Sequence, residues 1–319
     1  MRAVVIGSSG HAGSYTVPAL VQAGYEVVSI TRGTRKPYTS ALKEWDEVRT
    51  VEADRRALEK DGTFGSFVMD FKPDVICDLI CYEKSQAEQL AAAAIGRVSS
   101  YVFIGTVWVY DYNIEVPATE SHPRNALGKY GRGKIDIEEY LLDLWNEKKL
   151  PCTILHIGHL VGKGWSPINP QGNFNKSVYE EIAAGRELLL PDRGSSTVHH
   201  VHSADVAQMV VACLEKPGIA AGQVYHTTSR NAVTLRGYAE TLYAKFNREP
   251  NITYVSLQEL MDTLKGEDVI KTFEHVSHSP CVSIEKAQRE LSYNPLYSSM
   301  QAVSEALDNM IETGEIKIH

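Results

Sequence analysis

The stretch Arg2-Ala3-Val4-Val5-Ile6-Gly7-Ser8-Ser9-Gly10-His11-Ala12-Gly13 reads as a short apolar strand that turns through glycines into a helix. Gly7 would allow the tight turn. Gly10 would bring the backbone against a pyrophosphate at the positive end of the helix, with His11 beside it. Gly13 would let the helix pack closely on the sheet. The spacing is G-x-x-G-x-x-G, and its place at the first strand–helix junction points to a dinucleotide ligand.

Outward from this turn, short apolar runs alternate with helical patterns, the signature of a parallel sheet built from strand–helix–strand units. Strands are expected at Arg2–Ile6, Glu26–Thr31, Val48–Glu52, Asp74–Ile80, Ser100–Gly105 and Cys152–Ile157. Helices should span His11–Ala23, Ser66–Phe71, Ser85–Gly96 and Tyr130–Lys148, with Pro18 kinking the first or ending its first turn. The fold class is therefore α/β, a Rossmann-type doubly wound parallel sheet with a smaller, mostly helical substrate lobe. Residues 1–165 should form the dinucleotide domain, with 197–215 returning to it; 166–196 and 216–319 should form the lobe. In that second part, Gly162–Asn175 reads as a long loop. Helices are expected at Ser177–Ala184, Ala204–Glu215, Leu235–Phe246, Ser256–Leu264, Ser283–Leu291 and Ser299–Thr313, and strands at Glu187–Leu190 and Thr197–Val201.

The 319 residues exceed one small core, and a net charge of −8 argues against a nucleic-acid or anionic-membrane partner. Five scattered cysteines (Cys77, Cys81, Cys152, Cys213, Cys281) read as reduced thiols in a cytoplasmic protein. No targeting segment or membrane-length apolar run is evident.

At the end of the second strand, where a carboxylate would bind the ribose diol of NAD, stands Arg32, with Arg35 and Lys36 behind it. Cations there pair with a 2′-phosphate, so the expected cofactor is NADP, with NAD also possible. Asp54 is placed to meet the adenine amino group or to form a turn, and Leu79, late in the fourth strand, joins the cofactor set.

Thr106 follows an apolar strand, and Tyr130 and Lys134 stand one helical turn apart. A ketone accepting hydride develops alkoxide charge and needs a proton donor. A phenol titrates near pH 10, and a neighbouring ammonium would lower that value. Thr106 would orient the substrate oxygen, Tyr130 exchange the proton, and Lys134 tune the phenol and hold the nicotinamide ribose.

With these motifs the chain resembles the extended short-chain dehydrogenase/reductases, in the NAD-dependent epimerase/dehydratase group. The similarity rests on Gly7, Gly10 and Gly13, on Pro73-Asp74-Val75-Ile76, on Tyr101 through Thr106 with Val109-Tyr110, and on Tyr130-Gly131-Arg132-Gly133-Lys134. It continues at His200 through Ala207 and at Ser283 through Leu291 with Asn294-Pro295. The resemblance implies Thr106, Tyr130 and Lys134 as the catalytic trio and a homodimer through Ser85–Ala94 and Tyr130–Leu144. The sequence departs from the group in three places. Ser196-Thr197 stand where sugar-nucleotide members carry an arginine, His156-Ile157-Gly158-His159 replaces an Arg-Pro segment, and Ile6 replaces a threonine.

His200 and His202 should share one face of a strand and His199 the other. No metal is expected, for want of further ligands at known spacing. Trp108, Trp165, Asn173 and His200 are the expected substrate-lining residues, with Phe174 a further candidate. The expected activity is hydride transfer at a secondary alcohol or ketone carbon of a small molecule such as a sugar derivative. The outcome could be epimerisation or simple carbonyl reduction, or the chain could be a cofactor-sensing or RNA-binding relative without turnover.

Overall fold

A computed structural model describes residues 1–111 and 115–318. Its first strand, β1 (Arg2–Ile6), is buried from Ala3 onward, as an apolar run covered on both faces must be. Alternation follows: α1 (His11–Gln22), β2 (Glu26–Thr31), β3 (Arg49–Glu52), α2 (Arg55–Lys60), α3 (Phe64–Met69), β4 (Val75–Asp78), α4 (Lys84–Ala94), β5 (Ser100–Thr106), α5 (Lys129–Asn146) and β6 (Cys152–Ile157). The second half supplies β7 (His159–Val161), α6 (Ser177–Ala183), β8 (Leu188–Pro191), β9 (Thr197–Val198), β10 (His200–His202), α7 (Ser203–Glu215), α8 (Pro217–Ala220), β11 (Gln223–Thr227), β12 (Val233–Thr234) and α9 (Leu235–Lys245). It ends with β13 (Ile252–Val255), α10 (Leu257–Thr263), α11 (Glu267–His278), α12 (Glu285–Leu291) and α13 (Ser299–Glu312).

Seven strands form one parallel sheet in the order β11-β6-β5-β4-β1-β2-β3. The order reverses between β1 and β4, and ligands of such sheets bind beyond the carboxyl ends of the strands at that point. Two apolar clusters cover the two faces. Val5, Val17, Leu20 and Val206 belong to one; Ile6, Leu90, Phe103 and Ile137 belong to the other. A third core, around Tyr179, Leu190, Tyr238, Leu242 and Leu307, holds the C-terminal helices together.

Four sequence readings are corrected. The range 216–319 is not all lobe: β11 edges the main sheet, and Ile284, Ala287 and Leu291 of the α12 region pack into its core. The expected strand Thr197–Val201 breaks in two, β9 pairing antiparallel with β12 and β10 pairing parallel with β7. Helix α11, absent from the expectation, carries the exposed Ile270 and Phe273, so its apolar residues do not trace one buried stripe.

Pro18 is the fourth, in one of its two alternatives: α1 does not end at it but runs on to Gln22. The proline lacks an N–H, so the carbonyl of Ser14 loses its helical donor. Thr39 replaces that donor with its side-chain hydroxyl. Tyr38 donates its backbone N–H to Ser14 Oγ at 3.0 Å, and Trp45 donates Nε1–H to Thr39 Oγ1 at 3.1 Å. The loop after β2 is thereby fastened to α1. Among the described residues no helix is long and apolar enough to cross a membrane, and no group of three or more His, Cys, Asp or Glu is arranged to hold a metal ion.

Candidate active site

The carboxyl ends of β1 and β2 and the start of α2 enclose a cavity of about 230 Å³, lined by Gly7, Gly10, Arg32, Arg35, Asp54 and Arg56 among others. Gly10 is the N-cap of α1, so the positive end of that helix opens at the cavity. A Cβ on Gly13 would lie 2.5 Å from the Gly7 carbonyl oxygen and 2.6 Å from Ser8 Cα, so only glycine lets helix and turn close up. These residues fit a dinucleotide: a close-packed backbone turn, a helix N-terminus and a rim of guanidinium groups. Arg32, Arg35 and Arg56 are all exposed on that rim, and Arg56 is one the sequence reading missed. Arg55 is unavailable, being buried and bonded to Asp78 at 2.6 Å and to Glu59 at 2.6 Å. One carboxylate, Glu52, approaches the same loop beneath Gly33.

Three expected cofactor residues make contacts within the protein. Asp54 caps α2, accepting from the backbone N–H of Arg56 at 2.9 Å and of Ala57 at 3.4 Å. His11 is buried, its Nδ1 2.9 Å from the Ser203 hydroxyl, and its ring is stacked against Trp165 with centroids 5.3 Å apart. Leu79 lies in the core beside the turn, its N–H donating to the Ile6 carbonyl at 3.2 Å.

Thr106 ends β5, and its Oγ1 accepts from the Trp108 N–H at 3.2 Å. Tyr130 and Lys134 lie in the first two turns of α5. Gly131 seats that helix, because a Cβ there would come within 2.5 Å of the Trp108 carbonyl. Tyr130 and Trp108 consequently meet edge to face at 6.0 Å. The Tyr130 ring is 44% exposed along its flank, while its hydroxyl end lies beside Thr106. Burial of that hydroxyl, reinforced by Tyr82, pushes the phenol up to about 12, with the Thr106 hydroxyl working in the opposite direction. This departs from the expected lowering. Lys134 Nζ is committed elsewhere, donating to the carbonyls of Cys81 at 2.7 Å and Ile104 at 2.8 Å, 5.9 Å from the Tyr130 ring centroid. Burial pulls Lys134 down to about 8.

One turn further along α5, Glu138 bonds to His156 of β6 at 2.5 Å and to Arg124 at 2.8 Å. Burial would raise this carboxyl, but the two partners hold it below its ordinary value. His156 also meets the Tyr110 hydroxyl at 3.1 Å, and that hydroxyl reaches His226 of β11 at 3.0 Å. The helix bearing Tyr130 and Lys134 is thus fixed to the sheet edge by a buried polar chain.

Beyond Tyr130 the walls are rings. Trp108 stacks on His278 at 4.0 Å and meets His275 at 4.9 Å; His275 meets His159 at 5.5 Å, and His159 meets His200 at 5.9 Å. Phe174 touches both His159 and His275. Of the strand histidines, His199 donates to or accepts from backbone at Ser229 and Val282, and His202 bonds to Glu305 at 2.6 Å and caps α7. His200 makes no such bond at either nitrogen. His159 and His275 were missed by the sequence reading: they come from unrelated segments and share no local spacing. Asn173 is held within the protein: its amide donates to Thr272 Oγ1 at 2.9 Å and accepts from Asn169 Nδ2 at 2.6 Å, so it ties the 162–175 loop to α11.

Comparison with known proteins adds the family. The model of the NAD dependent epimerase/dehydratase family matches residues 3–226. A UDP-glucose 4-epimerase from Drosophila melanogaster is 24% identical over 316 residues, covering 86% of this chain and 81% of that protein. One from Yersinia pestis is 25% identical over 270 residues, covering 69% and 76%. Among solved structures, a dTDP-glucose 4,6-dehydratase from Bacillus anthracis in complex with NAD shares the fold at a TM-score of 0.76 and 17% identity, over 99% of this chain and 98% of that one. A UDP-glucuronic acid 4-epimerase from Bacillus cereus has a TM-score of 0.72 at 18% identity, over 98% and 100%. With more than half of its length matched by the family model, the chain belongs to the NAD dependent epimerase/dehydratase family and is an NAD-dependent enzyme of that kind.

Proposed function

We propose that the protein moves a hydride and a proton at a secondary alcohol or ketone carbon of a small molecule, with NADP as preferred cofactor. The carrying observation is the meeting of Thr106 and Tyr130 beyond the end of β5, with Lys134 one helical turn along α5, at the same sheet whose β1 ends in the Gly7–Gly13 turn. Bound in the cleft, the nicotinamide supplies or accepts the hydride. Thr106 orients the substrate oxygen. Tyr130, raised to about 12, keeps its proton at neutral pH and donates it to the developing alkoxide. Lys134, mostly charged at neutral pH, contributes an ammonium at the ribose side.

Arg32, Arg35 and Arg56 support the phosphate-bearing cofactor, since guanidinium groups pair with phosphate in charge-assisted hydrogen bonds. The same reading includes a homodimer through α4 and α5, which pack side by side. A second reading, a reductase that releases its oxidised cofactor rather than an epimerase that recycles it, is supported by Ser196-Thr197 standing where sugar-nucleotide members carry an arginine.

The test is turnover with NADPH and with NADH on a panel of ketones and sugars, for wild type and Tyr130→Phe. The variant should lose about 10²–10⁴-fold in turnover with cofactor affinity unchanged. Equal turnover in the two proteins would overturn the reading. Cofactor that stays bound without net consumption identifies the epimerase outcome.

A further inference from the structure

We propose that His159 and His200, walled by Trp108, Phe174 and His275, form the specificity pocket for an uncharged, multiply hydroxylated substrate, a free sugar or polyol rather than a nucleotide-diphosphate sugar. The proposal rests on the reading of Tyr130 as acid/base only for where the reacting carbon lies.

The observation behind it is a set of buried, unpartnered polar atoms. Neither Nδ1 nor Nε2 of His200 has a hydrogen-bond partner, and Nε2 of His159 has none; His11 Nε2 is a further case. His200 has no exposed surface at all. The two strand histidines are register partners, His159 of β7 opposite His200 of β10. Their rings continue through His275 and Trp108 to Tyr130. Burying such nitrogens without partners is unfavourable, and native structures pair nearly all of them. A cluster left unpaired at one place, in line with the acid/base residue, is paired by what binds there.

The chemistry of the partner follows from what faces these rings. Among the described residues, charged groups stand around the cluster: Asp111 lies 3.6 Å from His278, Lys271 and Glu274 of α11 are bonded to each other at 2.8 Å, Arg35 and Glu305 lie beside His11, and Lys84, Lys129 and Arg132 line the cavity outside Tyr130. The titratable groups acting on His159 and His200 are other histidines only. Burial holds His200 down to about 3, so its imidazole is neutral at working pH. A neutral imidazole offers one donor and one acceptor, and a hydroxyl matches both. A diphosphate seated against His159 and His200 themselves would meet only neutral imidazoles, which is strongly disfavoured. The aromatic walls suit the C–H faces of a sugar, as apolar linings with a few placed polar groups do generally. Phe174, 38% exposed and held by edge contacts, is the cover that moves aside on entry.

The experiment uses the full chain with NADP(H), and D-glucose, D-galactose, xylitol and UDP-glucose as probes. Turnover is followed by NADPH absorbance and by chromatography of epimerised product, and binding by calorimetry. Free sugars or the polyol should give at least about tenfold higher kcat/KM than UDP-glucose. His200→Phe keeps ring volume and removes both nitrogens; it should raise KM for those substrates about tenfold or more with NADPH affinity unchanged, and His200→Gln should recover part of the loss. Tyr130→Phe should bind the probes like wild type yet not turn them over. The proposal is overturned if UDP-glucose is preferred, if none of the free sugars or the polyol binds, or if His200→Phe leaves KM unmoved. Normal turnover by Tyr130→Phe would instead sink the acid/base reading, leaving binding at the histidines intact.

Discussion

Exposed guanidinium groups and a backbone turn ring the nucleotide end of the cleft, whereas the far end is walled by neutral imidazoles and aromatic rings drawn from β7, β10, α11 and the 162–175 loop. The first end recognises charge, which acts through water and tolerates exposure. The second must recognise hydroxyls and ring faces, which requires exclusion of water and convergence of several segments. One end is therefore coded within a few dozen consecutive residues and the other across most of the chain.

The sharpest way to separate the ends is Tyr130→Phe, expected to cost about 10²–10⁴ in turnover while NADP affinity is unchanged. A parallel loss of affinity, measured by NADPH fluorescence titration, would mean the two ends are not independent. Gly13→Val attacks the nucleotide end alone. The new side chain meets backbone at 2.5–2.6 Å, so cofactor binding should disappear and the melting profile should report roughly 1–3 kcal/mol or more of lost stability. Arg32→Asp and Arg56→Ser should each lower the ratio of NADP to NAD affinity by about 10- to 100-fold, with KM for the second substrate unchanged. A shifted KM would break the comparison.

Two smaller effects probe the far end. Asn173→Ala removes the amide linking the loop to Thr272 and should cost roughly 1–3 kcal/mol in denaturant unfolding, with KM rising more than kcat falls. Acid titration tests neutrality. His200 is held at about 3 against an ordinary 6.5, so between those values the unfolded chain binds a proton that the folded chain refuses. Stability is complete above about pH 6.5 and falls as pH drops below it, by about 1.4 kcal/mol per pH unit for each such histidine. His11, His199 and His275, lowered by burial in the same way, add to that slope. His200→Phe should reduce it by one histidine's share; an unchanged slope would mean the ring is not held neutral.

The contrast also explains what could be read from sequence. The first six strands, the glycine turn and the Tyr130–Lys134 pair follow from local periodicity and short spacing. β11 did not, because Gln223-Val224-Tyr225-His226-Thr227 buries polar side chains that are satisfied at long range, His226 by Tyr110 and Ser283. Neither did α11, although Val269, Ile270, Phe273 and Val276 keep helical spacing: Ile270 and Phe273 face outward, so that stripe does not mark a buried face. His200 was legible as a lining candidate, but its partners His159 and His275 become neighbours only once β7, β10 and α11 are assembled. The internal bonds of Asn173 were not legible, because a loop amide reads alike whether it meets a ligand or its own chain.

Pro18 reaches further than the helix that contains it. By withholding one N–H it leaves the Ser14 carbonyl for Thr39, and so latches the segment that carries Arg32 and Arg35 onto the helix that opens at the glycine turn. Restoring that N–H with Pro18→Ala would give the helix back its own bond and set it competing with Thr39. A gain in helical regularity should then loosen the loop that carries Arg32 and Arg35, and with it the NADP preference proposed above.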